Sequence, residues 1–205
     1  ETKWMFPDID IKEITVSYRQ SKQLNDLASA MILAVGGAEQ NVTLPEHVDC
    51  LGVAPVLLEN AGKTEAVVAW LAERIREIER FVGQLPSIAI FVNSEEAVSP
   101  LAEALNIALV EHNIPVIACH EGQAVGQESN VRIFDIQHIK GLEFEAVFFI
   151  GIDQLAALHP TLFEKYLYVG STRAATYLGM TCNGILPTAF EGLRPHFGQH
   201  WQPSE

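Results

Sequence analysis

Residues 131–150 of this 205-residue chain read VRIFDIQHIKGLEFEAVFFI. Two largely apolar runs, 131–136 and 146–150, flank a short polar segment that contains Gly141 and Glu143. Apolar runs of this length are typical of strands that are buried on both faces of a parallel sheet. The stretch therefore predicts two central strands joined by a tight connection, in which Gly141 allows the backbone to turn.

The same organisation continues outward, because apolar β-branched segments alternate with helical patterns. In 64–82, for example, Val67, Leu71, Ile75 and Ile78 recur at helical spacing. The predicted strands are 13–18, 53–58, 87–92, 115–118, 131–136, 146–150 and 176–182, and the predicted helices are 21–35, 64–82, 94–111 and 162–168. This alternation predicts an α/β domain with a mostly parallel sheet, covered by helices on both faces in three layers.

Composition narrows the class of protein. The chain is 48% apolar and 19% charged, which fits a globular domain with a sizeable core, and it contains no apolar run long enough to span a membrane. Cys50, Cys119 and Cys182 are far apart, so we expect reduced thiols, no zinc or other metal site, and a cytoplasmic location. The net charge of −13 argues against nucleic-acid binding over a broad basic surface.

Two further segments contain residues suited to nucleotide chemistry. Residues 168–174 read YVGSTRA, and the fixed charge and planar fork of Arg173 suit a phosphate across a domain interface. The alternative is a surface salt bridge, for example with Glu164. In the segment VSYRQS, Arg19 offers a second cation and Tyr18 a flat ring on which a purine can stack, although an interior tyrosine is the simpler interpretation.

Together and in this order, VSYRQS, KGLEF and YVGSTRA resemble three motifs of UvrD/Rep-type superfamily 1 helicases. The resemblance covers about 14–182 and lies in the second, RecA-like motor domain of that family. It implies contacts to ATP, which would be made by Arg19 and Arg173 at the γ-phosphate, by Tyr18 at the adenine, and by the turn of Gly141 and Glu143 at the nucleotide sugar.

The chain departs from the family pattern just before KGLEF. The family usually has T-x-H-x-x-K-G, whereas here Asp135 and Gln137 occupy the Thr and His positions and His138 is one residue out of register. The resemblance implies that this part of the motif faces nucleic acid, which makes Gln137, His138 and Lys140 the candidate contacts. The substitutions indicate altered coupling between nucleic acid and ATP.

The resemblance also sets the expected domain organisation. Larger relatives insert a whole domain before the KGLEF strand, and here only 121–130 fill that place. We therefore expect that 1–186 form a single domain, which corresponds to the second RecA-like motor domain of the family and has no inserted subdomain. Residues 187–205 contain three prolines and few apolar residues, and we expect a C-terminal tail there, or a segment that packs on a partner outside this chain.

A phosphate-binding loop is not predicted. Gly62-Lys63-Thr64 resembles the end of such a loop, but the glycine required five residues earlier is Leu57, so the N-terminus of a helix is the preferred interpretation. ATP with Mg²⁺ is then expected to be bound mainly by an N-terminal RecA-like domain of the same parent chain. The isolated chain is expected to lack significant ATPase activity.

Three functions remain open at this point. The first is the C-terminal motor domain of an ATP-dependent DNA helicase or translocase, whose partners are the N-terminal motor domain and single-stranded DNA, with RNA as the alternative nucleic acid. The second is a non-catalytic helicase-like binding or scaffold module, which the acidic charge and Gln137 favour. The third, a freestanding nucleotide-binding enzyme, is disfavoured because no phosphate loop is present.

Overall fold

The computed structural model describes residues 21–34, 52–138, 142–160, 163, 166–167, 171 and 173–201. The described strands are β1 (Val56–Leu58), β2 (Ile88–Val92), β3 (Val116–Cys119), β4 (Val131–Asp135), β5 (Phe144–Phe149) and β6 (Ala174–Thr181). The helices are α1 (Lys22–Ala34), α2 (Thr64–Val82), α3 (Val98–Leu109) and α4 (Ile152–Leu158). Short 3-10 turns lie at Glu95–Ala97, Val110–His112, His120–Gly122, Ile136–His138 and Thr188–His196.

The six strands form one sheet in the order β1-β6-β5-β2-β4-β3, and each pairing between these strands is parallel. Successive side chains of a strand point to opposite faces, and β2 shows this clearly. Ile88 and Ile90 belong to the core that α2 and α3 cover, whereas Ala89 and Phe91 belong to the core beneath α1 and α4. The predicted three-layer, RecA-like α/β fold is therefore confirmed.

Helix α2 begins and ends where its amphipathic pattern predicts. Gly83, with φ of 77°, ends it in the left-handed conformation, and its N–H bonds to the carbonyl of Glu79. Helix α4 was not predicted, since seven residues are too few for a clear periodicity. The strand predicted at 13–18 lies outside the described residues.

The C-terminal segment requires a correction, because its described part packs on the domain and is not a free tail. Phe190 and Leu193 join the core beneath α1, and Trp201 is only 2% exposed. The Trp201 ring meets Phe148 and Tyr177 edge to face, with centroids 5.5 and 5.4 Å apart. Sparse aromatic side chains thus anchor a segment that lacks any regular pattern.

No helix in the described part of the chain is long and apolar enough to cross a membrane.

Candidate functional site

The predicted nucleotide contacts that can be described lie at the amino ends of two neighbouring strands. Glu143 directly precedes β5 and Arg173 directly precedes β6. The Phe144 N–H donates to the Arg173 carbonyl at 2.9 Å, and Phe144 pairs with Ala174 in the sheet register. The two candidate residues are therefore neighbours. Arg173 occupies the turn that leads into β6.

The guanidinium of Arg173 has unused hydrogen-bonding capacity. The side chain is partly buried, and its Nε atom is buried without a hydrogen-bond partner among the described residues. No ion pair joins it to a carboxylate in the part of the chain that the structure describes; Glu164 lies outside that part. A buried N–H without a partner costs free energy, so this atom is suited to an anionic ligand.

The rest of the predicted nucleotide site is only partly described. Glu143 is exposed, and Leu142 beside it packs against the core beneath α1. Leu142 thus anchors the segment that directly precedes β5. Tyr18, Arg19, Gly141 and Lys140 lie outside the described residues.

The predicted nucleic-acid contacts lie at the opposite end of the strands. Asp135 ends β4 and pairs with Val92 at the end of β2, and Gln137 and His138 follow in a 3-10 turn. Gln137 is exposed, and its backbone N–H donates to Asp135 Oδ1 at 3.0 Å. The structure therefore does not bring these residues together with Arg173.

The carboxyl end around β4 is an acidic, partly buried environment. Asp135 is 4% exposed, and burial raises the pKa of its carboxyl group. The amide of Gln137 and the charge of His138 oppose this rise, whereas the carboxylates of Glu95 and Glu96 reinforce it. The position that holds Thr in the family motif thus holds a buried acid.

Glu95 and His120 are functional candidates that sequence analysis missed. His120 Nδ1 donates to Glu95 Oε1 at 2.6 Å, and the Glu121 N–H donates to the same oxygen at 3.1 Å. His120 Nε2 lies 3.0 Å from Ser99 Oγ. These residues follow β2 and β3, so only the strand order β2-β4-β3 brings them to Asp135.

Two other carboxylates at this end of the sheet have protein partners. Glu59 pairs with Arg194 at 2.7 Å and accepts the Leu186 N–H at 2.7 Å. The hydrogen bond from Arg194 is the largest cause that lowers the pKa of Glu59. Asp153 accepts the N–H groups of Asn183 and Gly184, each at 2.9 Å. Glu59 and Asp153 therefore fasten the C-terminal segment, which is a structural role.

The Gly62-Lys63-Thr64 element is the start of α2, as predicted. Lys63 is the residue before the helix, with extended backbone, and both Gly62 and Lys63 are exposed. The preceding turn is held by the Ala61 N–H, which donates to the Cys182 carbonyl at 3.0 Å. This short turn is unlike the wide, glycine-rich loop that surrounds phosphates.

The part of the chain that contains both sets of candidates also matches a known family. Residues 130–181 match the family model of the UvrD-like helicase C-terminal domain. The resemblance seen in KGLEF and YVGSTRA is thereby confirmed over this segment, which contains Asp135, Gln137, His138, Glu143 and Arg173, whereas VSYRQS lies outside it.

A solved structure supports the same fold for the helicase-like domain. The C-terminal domain of a possible DNA helicase from Lactobacillus plantarum WCFS1 is 20% identical and superposes with a TM-score of 0.59. The similarity covers 85% of this chain and 92% of that chain. At this level of identity it shows the fold alone. Among curated proteins, none matches the chain.

Proposed function

We propose that this helicase-like domain is the C-terminal motor domain of an ATP-dependent superfamily 1 DNA helicase or translocase. The observation that carries the proposal is the family match over 130–181, because that segment holds Glu143 and Arg173 on adjacent strand ends. One short surface then offers an arginine for phosphate and an acid for the hydroxyls of a sugar.

Arg173 is the residue assigned to the γ-phosphate. Its buried Nε, which has no partner among the described residues, would gain a charge-assisted hydrogen bond when a phosphate oxygen arrives. Arg19 and Tyr18 complete the proposed set by resemblance, as a second phosphate contact and an adenine-stacking ring. Glu143 and the turn at Gly141 approach the nucleotide sugar.

The remaining ATP-binding groups would come from an N-terminal RecA-like domain. Phosphoryl transfer requires a phosphate cradle and a Mg²⁺ ion. Lys63 is exposed at the start of α2 and lacks the surrounding glycine-rich loop. The helicase-like domain would therefore supply its arginines across an interdomain cleft.

Single-stranded DNA is the proposed nucleic acid, with RNA as the alternative. Three residues that follow β4 in the sequence would contact the single-stranded DNA: Gln137, His138 and Lys140. Asp135 and Glu95 lie beside them, and carboxylates repel phosphates. Binding by the isolated domain should therefore be weak and sensitive to salt.

That acidic environment also favours a second candidate function. A non-catalytic helicase-like binding or scaffold module has no need for a phosphate-friendly surface. The burial of Asp135 at the motif's Thr position is the specific observation in its favour.

ATP hydrolysis distinguishes the two candidates. We expect the intact protein to hydrolyse ATP faster in the presence of single-stranded DNA, and the 205-residue chain alone to show no significant turnover. A Lys63→Ala variant of the intact protein should behave like the parent. An intact protein without DNA-stimulated hydrolysis would support the scaffold module. Turnover by the isolated chain that Lys63→Ala abolishes would refute the assignment of the phosphate loop to another domain.

A further inference from the structure

We propose that Glu95, Asp135 and His138 form a binding site for a divalent transition-metal ion. One ligand atom from each residue lies within 4.8 Å of the other two. The residues come from two segments that follow the neighbouring strands β2 and β4. Two carboxylates and one imidazole, meeting at the carboxyl ends of parallel strands, are a donor set that Zn²⁺ and Mn²⁺ accept.

The two oxygens of the Glu95 carboxylate differ in their hydrogen bonds. Its Oε1 accepts hydrogen bonds from His120 Nδ1 and from the Glu121 N–H, at 2.6 and 3.1 Å. Its Oε2 is buried, has no hydrogen-bond partner among the described residues, and lies 3.9 Å from His138 Nε2. The oxygen that is left over is the one that faces the other two ligands.

Asp135 supplies a second buried acid that lacks a fixed cation. It is 4% exposed, and the Gln137 amide is the hydrogen-bond donor that the described residues give it. No described lysine or arginine forms an ion pair with Asp135 or Glu95. Burying a carboxylate away from water is costly unless a cation or hydrogen bonds compensate. A divalent ion would offset the charge of both acids at once.

The surroundings hold the three ligands in place. His120 contacts Glu95 on one side and Ser99 on the other, which is the outer support that ligating carboxylates usually have. Gly122 follows with φ of 71°, and a Cβ there would approach the His138 Cβ to 2.8 Å. The turn after β3 therefore packs closely against His138, so its position is constrained before any ion arrives.

The imidazole decides which ions fit. Mg²⁺ and Ca²⁺ prefer ligand sets made of oxygen atoms, whereas an imidazole nitrogen favours first-row transition metals. Ligand atoms about 2.0–2.2 Å from Zn²⁺ lie roughly 3.4 Å apart in a tetrahedron. The 3.9 Å between Glu95 Oε2 and His138 Nε2 would therefore shorten by about 0.5 Å on binding.

Such an ion would tie together two chain segments at the start of the connection to β5. Glu95 follows β2, and His138 lies five residues before Glu143 in the sequence. The site does not use Arg173 or any nucleotide contact. His138 is also a proposed nucleic-acid contact, so the site is independent of the proposed ATP contacts but shares one residue with the proposed DNA contact.

Equilibrium binding to the purified 205-residue chain tests the site, with Zn²⁺ and Mn²⁺ as probes and Mg²⁺ for comparison. We expect one high-affinity Zn²⁺ per chain, measurable binding of Mn²⁺, and much weaker binding of Mg²⁺. Glu95→Gln and His138→Gln should each weaken Zn²⁺ binding by at least about tenfold. His120→Gln, which removes only the outer support, should weaken it by about 10–100-fold.

Matched controls separate this site from other histidines and acids. His112→Gln and Glu111→Gln make the same chemical changes in a turn away from the cluster and should keep parental affinity. Zn²⁺ should also raise the Tm of the parent protein and of both controls, but not that of Glu95→Gln. Circular dichroism checks that each variant is folded, and Asp135→Asn replaces any variant that is not. A stoichiometry well below one, or equal affinities of His138→Gln and His112→Gln, would overturn the proposal.

Discussion

The two ends of the parallel strands differ in charge and in how far the protein satisfies its own polar groups. At the amino ends of β5 and β6, Arg173 presents a cation with a buried N–H that has no described partner. At the carboxyl ends of β1 and β6, Arg194 and three backbone amides donate hydrogen bonds to the nearby acids. At the carboxyl ends of β2 and β4, the described partners of Glu95 and Asp135 are histidines and backbone amides.

The difference in hydrogen-bond partners distinguishes acids with a structural role from groups that could bind a ligand. Acids that already have strong partners, such as Glu59 and Asp153, hold the C-terminal segment in place. Arg173 on one end and Glu95 on the other each have a buried polar atom without a hydrogen-bond partner among the described residues, and a ligand could satisfy these atoms. The amino end therefore suits an anion and the carboxyl end near β4 suits a cation.

The largest expected effect concerns the amino end. Arg173→Ala in the intact protein should lower kcat for DNA-stimulated ATP hydrolysis by about 10³–10⁵-fold, as for arginines that stabilise the transition state of phosphoryl transfer. The effect should be on kcat more than on ATP binding, because the charge it meets develops in the transition state. Steady-state kinetics at saturating single strand give both values.

Arg80→Ala is the matched control for that variant. Arg80 is exposed in the last turn of α2 and is not part of the proposed nucleotide site, so the variant removes the same type of side chain without changing that site. Its kcat should equal that of the parent. If Arg173→Ala folds normally, by its thermal melt, and keeps near-parental turnover, Arg173 is structural and the nucleotide assignment of the amino end fails.

The second prediction concerns the strands that carry the amino-end site. Trp201→Ala should lower the free energy of unfolding by about 3–5 kcal/mol, the usual cost of deleting a large buried aromatic side chain. Trp201 packs on Phe148 of β5 and Tyr177 of β6, so its loss removes contacts to both strands. Urea denaturation monitored by circular dichroism measures the change.

Two further variants calibrate this result. Trp201→Phe keeps an aromatic ring and should lose much less, since the buried indole N–H has no hydrogen-bond partner among the described residues. Ile107→Ala truncates a side chain that is 76% exposed and should change stability by no more than about 0.5 kcal/mol. Equal losses for Trp201→Ala and Ile107→Ala would restore the interpretation of this segment as a tail.

The third prediction concerns a satisfied acid at the carboxyl end. Glu59→Gln should lower the free energy of unfolding at pH 7 by about 1 kcal/mol, the upper end of the range for ion pairs that are partly exposed to solvent. The pKa of Glu59 is held below its ordinary value of 4.5, so its contribution is present above pH 4.5. The contribution is lost as the pH falls through the lowered pKa of the folded protein.

The difference in the free energy of unfolding between the parent and Glu59→Gln should therefore be largest near neutral pH. It should disappear as the pH falls below 4.5. Urea denaturation at a series of pH values measures it. Glu191 also pairs with Arg194 but is exposed, and Glu191→Gln should change stability less. A difference for Glu59→Gln that does not depend on pH would show that the pair with Arg194 is unimportant.

The smallest expected effect tests the acidic end against nucleic acid. Asp135→Asn should strengthen binding of single-stranded DNA to the domain about twofold at low salt, since one charge about 10 Å from a phosphate in water is worth roughly 0.4 kcal/mol. Fluorescence anisotropy, with a chelator present to exclude metal ions, measures the affinity.

Glu103→Gln removes one charge from the exposed side of α3 and is the control. It should leave the affinity unchanged, and high salt should abolish the gain for Asp135→Asn. Equal gains in DNA affinity for the two variants would mean that binding of the single-stranded DNA depends only on the net charge of the domain. The carboxyl end of β4 would then not be the place where it binds.

Features that depend on residues close together in the sequence were predicted well, whereas contacts between distant residues were not. The bounds of α2 matched because apolar spacing and Gly83 act within a few residues. Glu143 and Arg173 were each predicted from a local motif, but their position side by side depends on the pairing of β5 with β6. Glu95 and Asp135 are 40 residues apart, and no local pattern links them.

By itself, the sequence determined the strand-helix alternation, the parallel three-layer sheet and the helicase-like motifs, because periodicity and turn residues act over short distances. Only the tertiary structure decided which residues meet. The order β2-β4-β3 brings Glu95, Asp135 and His138 together, and the register of β5 with β6 sets Arg173 beside Glu143. The burial of Trp201 was likewise decided by packing, since a single large side chain anchors a segment without any repeating pattern.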